Sequence, residues 1–180
     1  HRKYSKKLQT WEQRKLNTFV EFYSGLTYSP KDIIGSDGTL VLRSSNVKKD
    51  EIVKDDNVFV KDSVVNSQNV KKGDIIVVVR NGSRSLIGKH AQIKEKMPKT
   101  VIGAFMTGIR SSEPNFVNSL LNTSAFNDEI EKNMGATINQ ITGGTFNSME
   151  FKIPKRNTEQ EKIGQYFKEL DNLITLHQHQ

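Results

Sequence analysis

The 180-residue chain contains no cysteine. That excludes a disulfide framework, a thiolate metal site and a cysteine nucleophile. Histidine is nearly as scarce: His1, His90, His177 and His179 are the four, and only the last pair lies close in sequence. So few imidazoles give no basis for a Ser-His-Asp nucleophile or a histidine-built metal site. Long apolar runs are missing too. The longest, Ile75 to Val79, falls far short of the roughly 20 residues that span a bilayer, and the opening HRKYSKKLQT has no apolar signal core. The expectation is a cytoplasmic protein with one globular unit large enough for a real core.

Phosphate-binding and cofactor loops are also lacking. Gly82 to Lys89 ends in Gly-Lys as a P-loop does, but five residues separate Gly82 from Gly88 instead of four, and His90 stands where a Ser or Thr would hold magnesium. No Gly-x-Gly-x-x-Gly follows a strand, and no Asn-Pro-Pro-aromatic motif of an adenine methyltransferase is present. Asp55-Asp56 has no ladder of further oxygen ligands around it. Glu150-Phe151-Lys152 matches the acidic-x-Lys half of many nuclease sites, yet both polar groups fall on the solvent face of a short strand, where a cross-strand surface pair is the simpler reading.

What is abundant is positive charge, unevenly placed. The net charge is +7. Residues 70 to 99 carry Lys71, Lys72, Arg80, Arg84, Lys89, Lys94, Lys96 and Lys99 against Asp74 and Glu95, and the first 15 residues carry six cations against Glu12. Clustered Lys and Arg on an otherwise acidic body suit a polyanion partner by counterion release, and suit a solvated lysine-rich surface equally well.

Residues 1 to 9 read as a tether. Thr10-Trp11-Glu12-Gln13 has capping-box form and predicts a short helical turn through Leu16 with Trp11 as an anchor. Alternation predicts a strand over Thr18 to Tyr23, a loop from Ser29-Pro30 past Gly38, and strands at Thr39 to Arg43, Val58 to Val60 and Val64-Val65. Asp74 to Val79, without polar alternation, predicts a central strand covered on both faces. Val101 to Arg110 reads as one strand with bulges or close approaches at Gly103 and Gly108. Helical spacing follows Pro114 (Phe116, Val117, Leu120, Leu121, then Phe126, Ile130, Met134), with Gly135 as its cap. Met149, Phe151 and Ile153 alternate in a last strand. Thr158-Glu159-Gln160-Glu161 opens a final helix on which Ile163, Phe167, Leu170, Ile174 and His177 form a heptad seam, still running at the end of the sequence, so a partner helix is expected from another molecule or a longer chain.

Two strands thus end in polar, arginine-bearing tips. After Val79 come Arg80, Asn81, Ser83, Arg84 and Ser85; after Leu42 come Arg43, Ser44 and Asn46. Arginine suits guanine O6 and N7 and asparagine suits adenine N6 and N7, while lysines suit phosphates. A plain type I′ turn at Asn81-Gly82 accounts for the first tip without any ligand.

The order Trp11-Glu12-Gln13-Arg14-Lys15-Leu16, Leu42-Arg43-Ser44-Ser45-Asn46-Val47, Lys72-Gly73-Asp74-Ile75-Ile76 with Arg80-Asn81-Gly82-Ser83 and Ile87-Gly88, Gly135-Ala136-Thr137-Ile138, and Ile153-Pro154 with Glu159-Gln160, Lys162-Ile163 and Leu170-Asp171 resembles the DNA specificity subunit of type I restriction-modification systems. The resemblance covers about residues 10 to 177. It implies a mixed α/β (α+β) target recognition domain over residues 10 to 153, with a twisted mixed or antiparallel sheet and flanking helices, followed by a coiled-coil spacer helix over 154 to 180. It implies a non-catalytic, sequence-specific role on double-stranded DNA. Family members carry two such domains and two spacer helices, so a chain with one of each is a self-pairing half-subunit or a piece of a longer one. Implied partners are methyltransferase (modification) subunits using S-adenosylmethionine and a motor-nuclease (restriction) subunit using ATP and Mg, with none of these cofactors bound by this chain. The candidate DNA-contacting residues are Arg43, Ser44, Asn46, Lys71, Lys72, Arg80, Asn81, Ser83, Arg84, Ser85, Lys89, His90 and Lys94; those for helix pairing are Ile163, Phe167, Leu170 and Ile174. Two competing readings are a small metal-dependent nuclease using Glu150 and Lys152, and a coiled-coil interaction module whose basic loop is incidental.

Overall fold

The computed structural model describes residues 10 to 179; the expected tether over residues 1 to 9 lies outside them. In chain order the elements are β1 (Trp11–Lys15), β2 (Glu21–Ser24), β3 (Ile33–Ile34), β4 (Thr39–Leu42), β5 (Val47–Lys48), β6 (Glu51–Ile52), β7 (Val58–Val60), β8 (Ile75–Val78), β9 (His90–Gln92), β10 (Thr100–Ile102), β11 (Met106–Arg110), α1 (Pro114–Leu121), α2 (Ser124–Asn133), α3 (Gly143–Ser148), β12 (Glu150–Pro154) and α4 (Asn157–Gln178). This is an α+β fold built on two four-stranded sheets. One runs β10-β4-β7-β3, with β10 parallel to β4 and the other pairs antiparallel; the other runs β2-β11-β8-β9 and is antiparallel throughout. β1 pairs with β12, and β5 with β6, as separate two-stranded ribbons.

The apolar runs of β4 and β8 owe their composition to burial on both faces. On β4, Leu40 and Leu42 join the main core while Val41 joins a second cluster with Leu26, Val60 and Val101. All four residues of β8 are buried in the main core, and β8 lies between β11 and β9, the central position its sequence predicts. α1 and α2 add Phe116, Leu120, Leu121, Phe126 and Ile130 to the same core.

Several local signals gave way to tertiary pairing. Residues 11 to 15 form a strand and not a helical turn, because the alternating residues of β12 need a partner: Trp11 lies opposite Pro154 and Lys15 opposite Glu150. Trp11 remains an anchor, its Nε1 donating to Glu159 Oε1 of α4 at 2.8 Å. Val101 to Arg110 is two strands in two sheets. The break is a tight turn in which Met106 N–H donates to Gly103 O at 3.0 Å, and a side chain at Gly25 would put its Cβ 1.9 Å from that same Gly103 oxygen. Gly108 does mark a close approach, since a Cβ there would sit 2.1 Å from the Tyr23 ring. Asp62–Val64 is a 3-10 turn where a strand was expected at Val64-Val65, the short strand β3 falls inside the expected loop, and α3 falls inside a glycine-containing segment with no helical signal.

Asn81-Gly82 is not a type I′ turn, as neither residue has positive φ. The tight turn of that kind joins β5 to β6, where Lys49 (φ 51°) and Asp50 (φ 62°) both take the left-handed conformation. Gly135 does not cap α2 in a left-handed conformation; Met134 leaves the helix extended at φ −83° and ψ 130°. α4 begins at Asn157 without a side-chain cap. Its first turns dock on α1 so closely that a Cβ at Gly164 would lie 2.5 Å from the Phe116 nitrogen. Its distal turns project outward. Among the described residues no helix is long and apolar enough to cross a membrane.

Candidate nucleic-acid interface

The two polar tips seen in the sequence meet in space. Arg43 and Ser44 leave the end of β4, Arg80 and Asn81 leave the end of β8, and Asn81 Nδ2 donates to Ser44 Oγ at 3.0 Å. The first tip is stiffened by a 3-10 turn at Ser44–Asn46, in which Arg43 N–H donates to Asn46 Oδ1 at 2.9 Å. Arg43 Nη2 is held by Asp56, donating to Oδ2 at 2.9 Å and to the carbonyl at 2.7 Å.

The second tip has supports on two sides. Val79 and Arg80 N–H groups both donate to Phe105 O, at 3.0 and 3.2 Å, which fixes the β10–β11 turn against it. On the other side Ile141 N–H donates to Val79 O, Asn81 N–H to Asn139 O, and Asn139 Nδ2 to Gly82 O. Asn81 Oδ1 also accepts from Ser83 N–H at 2.9 Å, an Asx turn that leads into the 3-10 turn Arg84–Leu86. Ser83 and Ser85 hydroxyls lie 3.0 Å apart. Arg84 reaches back to α2, donating to Glu131 Oε2 at 3.2 Å and to Gly135 O at 3.1 Å. Arg80 is exposed, with its guanidinium 4.9 Å from the centroid of the exposed Phe105 ring.

Two candidates belong to the scaffold instead. Asn46 is fully buried, its amide satisfied by Arg43 N–H and by Val53 O. His90 is 6% exposed; its Nδ1 lies 3.0 Å from Gly88 O, its Nε2 2.7 Å from Asn122 Oδ1, and its ring packs edge-on against Phe126. Both side chains are spent on internal bonds, so neither is presented to an external ligand.

The basic segment is split by its strand. Arg80, Arg84 and Lys89 lie at the carboxyl end of β8, where Val78 N–H donates to Lys89 O. Lys71, Lys72 and Lys94 lie at the amino end, where Gly73 N–H donates to Ile93 O, roughly 13 Å of strand away. There Gly73, at φ 95°, occupies the third position of the turn Lys71–Asp74, a place that demands positive φ. Lys94 is engaged by Glu51.

The amino end also holds a buried ionic network with no trace in sequence spacing. Asp74 is 2% exposed and accepts from Tyr23 Oη (2.7 Å), Arg110 Nε (2.9 Å), Arg110 Nη2 (2.7 Å) and Lys71 N–H (2.8 Å). Burial, reinforced by the hydrogen bond to the Asp74 carboxylate, pushes the Tyr23 hydroxyl up from its ordinary value, so it stays a neutral donor. The Arg110 guanidinium also stacks over the Tyr23 ring at 4.9 Å. Glu150 and Lys152 are exposed on β12, opposite Lys15 and Gln13, and among the described residues no group of three or more His, Asp or Glu side chains is placed to hold a metal ion.

Residues 9–180 match the model of the type I restriction modification DNA specificity domain. The chain belongs to that family. Two curated relatives of this specificity domain are the StySPI specificity subunit of Salmonella potsdam and the EcoKI specificity subunit of Escherichia coli K12, each 27% identical over 91% of this chain and 36% of its own length. The specificity domain described here therefore spans about a third of those relatives. Its fold is that of the HsdS subunit from Thermoanaerobacter tengcongensis (TM-score 0.67, 12% identity, 98% of this chain and 41% of that one) and of the type I S subunit from M. genitalium (TM-score 0.63, 15%, 94% and 41%). A chain from a study of assembly and conformational transition in a type I R-M system superposes at TM-score 0.71 with 13% identity, over 98% of this chain and 42% of that one.

Proposed function

We propose that this chain reads DNA sequence and makes or breaks no bond itself, directing the methyltransferase and restriction subunits of a type I system to their site on double-stranded DNA. The observation that carries the reading is the junction of the two arginine-bearing tips through Asn81 and Ser44, which turns two strand ends into one polar, cationic surface. Rigid tips favour recognition, because a base contact requires placement at hydrogen-bond precision. S-adenosylmethionine, ATP and magnesium belong to the partners in this reading. The test is selection from a randomised duplex pool by the chain, alone and with its methyltransferase subunit, across a salt series. A defined enriched sequence is expected, with Arg80→Ala losing about 1–3 kcal/mol of discrimination at one position. Absence of salt-sensitive binding in the assembled complex would overturn the proposal.

The distal half of α4 is proposed as a pairing surface for a second apolar helix, in another copy of this chain or in a longer subunit. Ile163, expected in the seam, instead packs against the domain core from the second turn; in the distal turns Leu170 is half-buried, and Phe167 and Ile174 are 46% and 54% exposed. Tyr166 and Leu173 are exposed beside them, which widens the seam beyond the residues expected from heptad spacing. Sedimentation should show a dimer that dissociates on combining Phe167→Asp with Ile174→Asp; a monomeric parent chain would refute self-pairing.

A further inference from the structure

Phe105 is a large apolar side chain left in solvent, 53% exposed, on a turn fixed by backbone hydrogen bonds to both β4 and the end of β8. Gly103 N–H donates to Leu42 O at 2.9 Å, Met106 N–H closes the turn onto Gly103 O, and Phe105 O accepts from both Val79 and Arg80. A lone exposed phenylalanine is unremarkable by itself. This one carries the Arg80 guanidinium at 4.9 Å over its ring, and its turn runs past Arg43, whose Cγ would lie 3.7 Å from a Cβ at Gly103. The ring and the Arg80 guanidinium thus form one exposed pair beside the joined tips, an apolar face next to a fork of donors, which are the two kinds of group that meet base edges in a major groove.

Resting on the DNA-reading proposal, we infer that Phe105 and Arg80 act as one unit that reads a thymine adjacent to a guanine, the ring against the thymine methyl and the guanidinium on guanine O6 and N7. Base edges in the major groove offer that pair of features on adjacent steps, an apolar C5-methyl and a two-acceptor guanine edge. The aromatic stack holds the arginine fork in one orientation and so reduces the rotamer freedom lost on binding.

The experiment uses the duplex that the full chain selects from the randomised pool, alone or in its methyltransferase complex. Replacing the thymine by uracil removes only the methyl group and should weaken binding by the wild type roughly fourfold, the value of burying one methyl group. Phe105→Ala should be indifferent to that replacement, and Phe105→Leu should keep its sensitivity. Replacing the guanine by 7-deazaguanine should weaken the wild type but not Arg80→Ala. If a sequence is selected but holds no adjacent thymine and guanine, or uracil is tolerated by the wild type or penalised equally in Phe105→Ala, this inference fails and the DNA-reading proposal stands. If no sequence is selected at any salt concentration, both fail together.

Discussion

The two ends of β8 carry the same kind of charge and use it differently. At the amino end a buried carboxylate, Asp74, gathers Arg110, Tyr23 and the Lys71 amide into one internal network. At the carboxyl end Arg80 has no carboxylate within ion-pair distance among the described residues and rests on an aromatic ring at the surface. At the first end Arg110 ties strands together through Asp74; at the second Arg84 is drawn back to Glu131 while Arg80 stays in solvent. A count of lysines and arginines cannot separate these roles, because the difference lies in whether a buried carboxylate stands beside the cation.

The largest expected effect tests the amino end as a structural lock. Asp74→Ala strands the Arg110 charge and the Tyr23 hydroxyl without their acceptor and should destabilise the domain by about 3 kcal/mol or more, read as a lower midpoint in urea unfolding. A loss below 1 kcal/mol would show that water replaces the carboxylate and that the amino end is no structural lock. Gly108→Ala attacks the same lock from the strand, forcing a methyl into the Tyr23 ring, and should cost about 1–3 kcal/mol by the same measurement.

The next effect separates the ends in binding. Lys89→Ala at the carboxyl end should weaken DNA binding on all sequences alike and reduce the salt slope by about 1, whereas Lys71→Ala should leave the slope unchanged. Equal effects would mean that the duplex contacts both ends of the sheet. The smallest effect is local to the β5–β6 turn, which lies beside Arg84 and Lys89: Lys49→Asn with Asp50→Gly suits the left-handed conformation and should raise stability by about 1 kcal/mol in urea unfolding.

Much of the scaffold was legible in the sequence, and the reasons are local. β8, β12 and α1 have apolar patterns whose period matches their structure, and Gly108 carries a close approach as its setting in a strand suggested. The misread segments are those in which a local signal competed with a long-range partner. Thr10 to Gln13 has a capping-box pattern, yet β12 captures it as a strand. The apolar run from Val101 to Arg110 hides a change of sheet, and with it Phe105, whose exposure no periodicity could reveal. Asn139 and Gln140 support the Arg80 tip from nearly 60 residues away and have no distinguishing pattern of their own.

By itself the sequence determined the charge, the absence of thiol chemistry, the double-faced burial of β8 and the order of motifs that places the chain in its family, since composition and period are properties of neighbouring residues. Only the tertiary structure decided that the tips of β4 and β8 form one surface, that Asn46 and His90 face inward, and that the basic segment serves two opposite ends. Those facts depend on which strand pairs with which. Hydrogen-bond partners and buried counter-charges are chosen across long sequence separations, where no local spacing records the choice.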